Sequence, residues 1–143
     1  MKVNPNIQYP VPTDFAGFLL WQTANKWEKY INLQLKKTDL NQADMLHLIS
    51  LFHLLQTSSE VSQVQLAEYT GVTTMSVSKI LTKLSKIDLV TRKIGSDSRS
   101  KSISLTEKGI KILQECANKM QDADKKFFVP KAKPQFINYL NNL

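Results

Sequence analysis

Ser76, Lys79, Lys83 and Lys86 recur at steps of three and four, in a stretch that also holds Thr74, Ser78 and Thr82. On a helix this spacing lines them along one polar face. Hydroxyls near the start of such a helix allow close approach to base edges and phosphates, and lysines further along neutralise phosphates. The chemistry on offer is recognition of a polyanion rather than bond making. An ordinary solvated helix face carries lysines at the same spacing, so the residues that follow decide between the two. Leu89 to Ile94 alternates, with Val90, Arg92 and Ile94 on one side; Gly95-Ser96-Asp97-Ser98-Arg99 is polar and turn-rich; Ser102 to Leu105 alternates again, with Ile103 and Leu105 pointing one way. Period two on both sides of a turn predicts a β-hairpin. Arg99 at its tip suits a minor groove, where the potential is most negative. Asp97, two residues away, would orient that arginine or stiffen the turn.

The elements that position these groups follow from caps and periodicity. Ser62 with Gln65 three residues on forms a capping box and opens a short helix through Leu66, Ala67 and Tyr69. Gly71 ends it, because glycine accepts the left-handed conformation. Thr73, with Thr74 as the alternative, caps the next helix, whose Val77, Ile80, Leu81, Leu84 and Ile87 form a buried face. Ala67 supplies the small side chain needed where the two helices cross, and Val72, Val77 and Ile80 hold them from the other side. Two helices joined by a three- or four-residue turn containing glycine make a helix-turn-helix. With a hairpin directly after it, the stretch Val64 to Thr106 reads as a winged helix, and Thr106 caps the helix that follows.

Long amphipathic helices flank this centre. Met1 to Pro12 holds Pro5, Pro10 and Pro12 and reads as an extended arm, with Ile7, Tyr9 and Val11 as points of attachment to a partner subunit. Thr13 or Asp14 caps a first helix running to about Lys37. Its stripe is Leu20, Ala24, Trp27, Ile31 and Leu35, and Phe15, Phe18, Leu19 and Trp21 add a second apolar surface. A helix apolar on two sides is buried on two sides, and part of that burial is assigned to another copy of the chain. Asn41 caps a second helix, with Asp44 in its first turn and Met45, Leu48, Ile49, Phe52 and Leu55 as its stripe, widened by Leu51 and Leu54. Gln56 to Val61 is a linker, and Val61 adds a short strand beside the hairpin. After Thr106, Ile110, Leu113, Ala117, Met120 and Phe127 mark a helix to about Phe128, with Cys116 beside the stripe as a small core residue. Pro130 and Pro134 break the chain before a last helix, Gln135 to Leu143. Its apolar Phe136, Tyr139, Leu140 and Leu143 need a docking surface, for which the first helix of a second subunit is the natural candidate. The divisions are 1–37, 38–106 and 107–143 within one compact domain.

Composition narrows the function. The chain has 143 residues, 42% apolar and 22% charged, with a net charge of +7. Seven Lys/Arg and two Asp fall between Thr73 and Lys101, so most of the excess sits on the second helix of the pair and the hairpin. A local basic patch is the footprint of a polyanion binder. A membrane surface would also attract it, but the apolar residues of this stretch are needed in the core. No secretory signal follows Met1-Lys2-Val3, no apolar run is long enough to span a bilayer, and one cysteine excludes an internal disulfide framework. A cytoplasmic location follows. His47 and His53 stand about 120° apart on a helix, so they do not chelate one metal together, and both read as ordinary, partly exposed histidines. There is no glycine-rich phosphate loop, metal cluster or nucleophile–base signature. The expectation is a protein that is not an enzyme, with no catalytic residue, metal or cofactor.

The run Asp97-Ser98-Arg99-Ser100, followed by Leu105-Thr106-Glu107-Lys108-Gly109, resembles the Asp-x-Arg wing and Leu-Thr-x-x-Gly segment of the multiple antibiotic resistance regulator (MarR) family. Leu19-Leu20-Trp21 and Leu40-Asn41-Gln42-Ala43 also look like that family. The similarity extends from Phe15 onward, with departures at Thr70 and across Val129 to Pro134. The resemblance implies a mostly α fold with a small β-hairpin wing, a winged helix-turn-helix whose N- and C-terminal helices form a dimerisation region. It implies a ligand-responsive dimeric repressor that reads a pseudo-palindrome in double-stranded DNA. As in other two-fold helix-turn-helix dimers, half-sites about 10 base pairs apart are expected. Helix 73–87 would lie in the major groove and Arg99 in the flanking minor groove. The DNA-contacting set is then Thr73, Thr74, Ser76, Ser78, Lys79, Thr82, Lys83, Arg92, Ser96, Asp97, Arg99 and Lys101. The dimerisation set is Ile7, Tyr9, Phe15, Phe18, Leu19, Phe127, Phe136, Tyr139, Leu140 and Leu143. Effectors in the family are often small aromatic or anionic molecules, and Trp21, Trp27 and His53 are the residues that would line such a pocket or else serve as core. Redox sensing also occurs in the family, usually through a cysteine near the first helix, a position Cys116 does not match. A winged-helix module that binds protein or RNA without an operator is the alternative.

Overall fold

The computed structural model describes residues 11–96, 101–128 and 132–143. Ile7, Tyr9, Asp97 and Arg99 lie outside the described residues. Side-chain caps set four of the helix starts. Asn41 and Asp44 exchange hydrogen bonds with each other's backbone at the start of α2 (Gln42–Leu55), and Ser62 and Gln65 do the same for α3 (Gln63–Thr70). Thr73 accepts from Ser76 N at the head of α4 (Thr74–Lys86), and Thr106 accepts from Gly109 N at the head of α5 (Glu107–Phe127). Gly71 closes α3 at φ 72°, the left-handed conformation expected of it. Asp88, at φ 62°, makes the turn out of α4 in the left-handed conformation, without a glycine.

The remaining elements are α1 (Ala16–Gln34), the antiparallel strands β1 (Val90–Ile94) and β2 (Lys101–Leu105), and α6 (Lys133–Asn141). The hairpin pairs Val90 with Leu105 and Ile94 with Lys101. It is attached to the helices: Ile103 N donates to Val61 O at 2.8 Å, and Ser62 bridges to Ser102. The expected strand beside the hairpin is thus a single bridge at Ser62. One core joins the helix-turn-helix to the flanking helices through Ile31, Leu35, Met45, Leu48, Leu51, Leu66, Val77, Leu81, Leu84, Ile103 and Leu113. Gly109 sits where α5 passes Leu89, the residue before β1. A Cβ built there would lie 2.2 Å from Leu89 O, so the backbones approach too closely for any side chain.

Several expectations are corrected. Thr13 and Asp14 do not cap α1; they belong to a 3₁₀ turn begun by Pro12, and Phe15 occupies the cap position. The helix ends at Gln34 rather than near Lys37. The α1 stripe is buried in this chain only at Ile31 and Leu35, with Trp27 half-buried, whereas Leu20 and Ala24 are exposed. The α5 stripe runs through Gly109, Leu113, Cys116, Met120 and Ala123, so Cys116 is in it rather than beside it and Ile110 is exposed. Pro134 does not break the chain before α6 but lies in its first turn, where its missing N–H costs nothing. His47 is buried, not partly exposed, and its Nδ1 donates to Ala43 O at 2.7 Å.

Candidate nucleic-acid interface

The orientation of α4 follows from its apolar phase. Val77, Leu81 and Leu84 are buried, and Ile80 is half-buried. At about 100° per residue, the direction opposite them is centred on Met75, Lys79, Thr82 and Lys86. All four are exposed, as are Thr73, Thr74 and Ser76 around the first turn. The Thr73 and Ser76 hydroxyls are 3.0 Å apart, and Gln63 Nε2 donates to Thr74 O at 3.0 Å, which ties the two helices of the motif at this end. The outward face therefore carries hydroxyls at its N-terminal end and lysines beyond. Among the described residues only Lys83 and Lys133 form ion pairs, so Lys79 and Lys86 remain available to an anion.

Several of the expected contact residues are engaged within the protein, Thr82 and the Thr73 cap among them. Lys83 inclines toward α2 and pairs with the buried Asp44 carboxylate. Arg92 Nη2 donates to Ser78 O at 2.9 Å and to Thr82 Oγ1 at 3.1 Å, fastening β1 to α4. Ser96 donates to Glu60 Oε2 from both its N–H (3.2 Å) and its hydroxyl (2.7 Å), so the start of the wing loop, just past β1, is anchored to the α2–α3 linker. Those two bonds hold the Glu60 carboxyl below its ordinary pKa. Ser78 is half-buried beside the hairpin, and Lys101 is exposed at the start of β2. Asp44, Glu60, Gln63 and Met75 are absent from the sequence-derived set. The Asn41/Asp44 cap was legible, but no local signal gives the carboxylate its second partner.

Away from this face, α1 and α6 bound an apolar groove of about 410 Å³ lined by Leu19, Leu20, Phe136, Tyr139, Leu140 and Leu143. Phe15, Leu19, Tyr139, Leu140 and Leu143 are exposed, and Phe18 is half-buried with its ring 6.0 Å from Trp21. Phe127 instead packs within the chain, 5.6 Å from Tyr30. The three residues suggested for an effector pocket make contacts with different partners. Trp21 lies beside Phe18, Trp27 Nε1 donates to Asp124 Oδ1 at 3.0 Å, and His53 packs 5.7 Å from Tyr69. A second apolar groove, about 230 Å³, lies between α2 and α5 and is lined by Ile49, Phe52, Ile110, Leu113, Gln114 and Ala117. No group of three or more His, Cys, Asp or Glu among the described residues is placed to hold a metal ion, and none of the described helices is long and apolar enough to cross a membrane.

Comparison with known proteins agrees with this architecture. Residues 34–124 match the family model of the ArnR1-like winged-helix domain. An uncharacterized HTH-type transcriptional regulator, YdcH of Bacillus subtilis (strain 168), is 29% identical over 133 residues, spanning 92% of this chain and 89% of that protein. A mutant MarR from E. coli in complex with operator DNA superposes with a TM-score of 0.77 at 20% identity, covering 88% of this chain and 91% of that one. Bordetella bronchiseptica BpsR, whose DNA binding is regulated by 6-hydroxynicotinic acid, gives 0.80 at 16% identity, covering 94% and 96%. With its helix-turn-helix, its paired wing strands and its flanking helices in this order, the chain belongs to the ArnR1-like winged-helix family and has the fold of the MarR regulators.

Proposed function

We propose that the protein is a DNA-binding transcription regulator, dimeric and cytoplasmic, that reads a pseudo-palindromic operator with α4 in the major groove and the wing near the flanking minor groove. The observation that carries this reading is the outward face of α4. It is rimmed by Thr73, Thr74 and Ser76, continues into Lys79 and Lys86, and is held against the core by Val77, Leu81 and Leu84. Lys101 extends the positive charge onto the wing, and Arg99, outside the described residues, is assigned to its tip. The α1–α6 groove supports dimerisation, since its exposed apolar lining extends along both terminal helices. Response to a small aromatic or anionic effector, with loss of repression, is part of the proposal; the regulation of BpsR by an aromatic acid is its precedent in this fold.

Selection of random duplex DNA by the purified protein, at two salt concentrations, tests the reading. The expected product is a pseudo-palindrome with half-sites about one helical turn apart. Salt-sensitive binding that enriches no motif would overturn it in favour of a module for RNA or protein.

A further inference from the structure

Met75 is an apolar side chain of α4 that the core does not use. It is 69% exposed, on a helix whose Val77, Leu81 and Leu84 are fully buried. It occupies the second position after the Thr73 cap, so it stands in the first turn of α4. By helical phase it lies within about 40° of Lys79, Thr82 and Lys86, at the centre of the face turned away from the protein. Val72, 40% exposed in the preceding turn, adds to a small apolar tip. The rim of that tip is polar and positive: Thr73, Thr74 and Ser76 offer hydroxyls, and Lys79 offers its ammonium. An apolar protein partner would be matched by a wider apolar surface and fewer cations. This surface instead complements a polyanion that displays an isolated apolar group, and the major groove displays one such group, the C5-methyl of thymine.

We propose that Met75 is a specificity-determining residue that reads the C5-methyl group of one thymine in each half-site. The proposal rests on the assignment of α4 to the major groove. Lys79 and the hydroxyls hold the helix on the DNA, and the Met75 side chain covers the methyl and excludes water from it.

The test uses the full-length protein and the operator it selects. Thymines of one half-site are replaced one at a time by deoxyuridine, which pairs identically but lacks the methyl. At one position the wild type should lose about fourfold in affinity, the worth of one buried methyl or methylene group. Met75→Ala should weaken binding to the thymine operator and be indifferent to deoxyuridine at that position. Met75→Gln, of similar length but polar, should behave likewise and provides a second variant if the alanine protein folds poorly. Lys79→Ala, the control, should weaken both operators equally while keeping the fourfold difference. The proposal is overturned if no thymine in the half-site is methyl-sensitive, or if the sensitivity survives in both Met75 variants. Failure of the wild type to select any operator would remove the major-groove assignment itself, before any variant is measured.

Discussion

Lys83 on α4 is ion-paired with Asp44 on α2, a residue only 1% exposed. The same carboxylate oxygen accepts from Asn41 N at 2.9 Å, so one acid caps α2 and holds α4. Asn32 of α1 accepts from Gln42 N at 2.7 Å, which places α1, α2 and α4 on one polar network. Removing Lys83 would leave a buried carboxylate without its cation. Losses of about 3–5 kcal/mol are typical when a buried pair is broken, and about 1–3 kcal/mol is expected here because the Lys83 side chain remains 42% exposed. Lys83→Met should therefore lower the denaturation midpoint and weaken operator binding without changing its salt dependence. Lys79→Ala should leave stability nearly unchanged and lower the slope of log affinity against log salt by about one. Equal slope changes in the two variants would return Lys83 to the DNA-contacting set.

Gly109 offers a steric test of the fold. Its substitution by alanine would push a methyl against Leu89 O, which already accepts from Thr106 N at 3.1 Å. Neither atom can give way without disturbing the join between hairpin and α5. Gly109→Ala should destabilise by about 1–3 kcal/mol, as overpacking does, and lower the melting temperature by roughly 3–10 °C. Calorimetry of the two proteins checks this, and an unchanged melting temperature would refute the contact.

Burial pushes the Cys116 thiol above its ordinary pKa, outweighing the attraction of Lys119. The neutral thiol is the form the core accepts. Its contribution is fully present below the thiol's ordinary pKa and is lost as pH rises through the raised value. Native protein should be unreactive toward a thiol reagent at mildly alkaline pH and should release one equivalent on unfolding. Further alkalinisation should destabilise wild type more than Cys116→Ala, as read by denaturant titration at several pH values.

The exposed lining of the α1–α6 groove predicts that α6 works in the assembled protein. Deleting residues 133–143 removes Phe136, Tyr139, Leu140 and Leu143 from that surface. Sedimentation should then show weakened dimerisation. A fully dimeric truncated protein would move the interface elsewhere.

The parts legible in the sequence are those written by neighbours. Ser62 and Gln65, Gly71, Thr73 and Thr106 fix helix ends within three or four residues, and each has its expected role. The destinations of long side chains are different. Lys83 has the spacing of a phosphate contact, but its partner is 39 residues earlier. Arg92 bonds Ser78 O, 14 residues away across the hairpin's approach. Periodicity gives the face of a helix but not which neighbour claims a cation on its edge. The outward direction of Met75 follows from the buried face already legible at Val77, Leu81 and Leu84, and the structure adds its degree of exposure.

The described part of the wing is fastened to α4 and to the α2–α3 linker by Ile103 to Val61, by the Ser62–Ser102 bridge, by Arg92 to Ser78 and by Ser96 to Glu60. Its entropy of ordering is thus spent when the chain folds, not when it meets a ligand. Association then carries mainly the rigid-body and side-chain terms, and its heat-capacity change should match the apolar surface covered at the contact alone, with no added signature of coupled folding from this part of the hairpin.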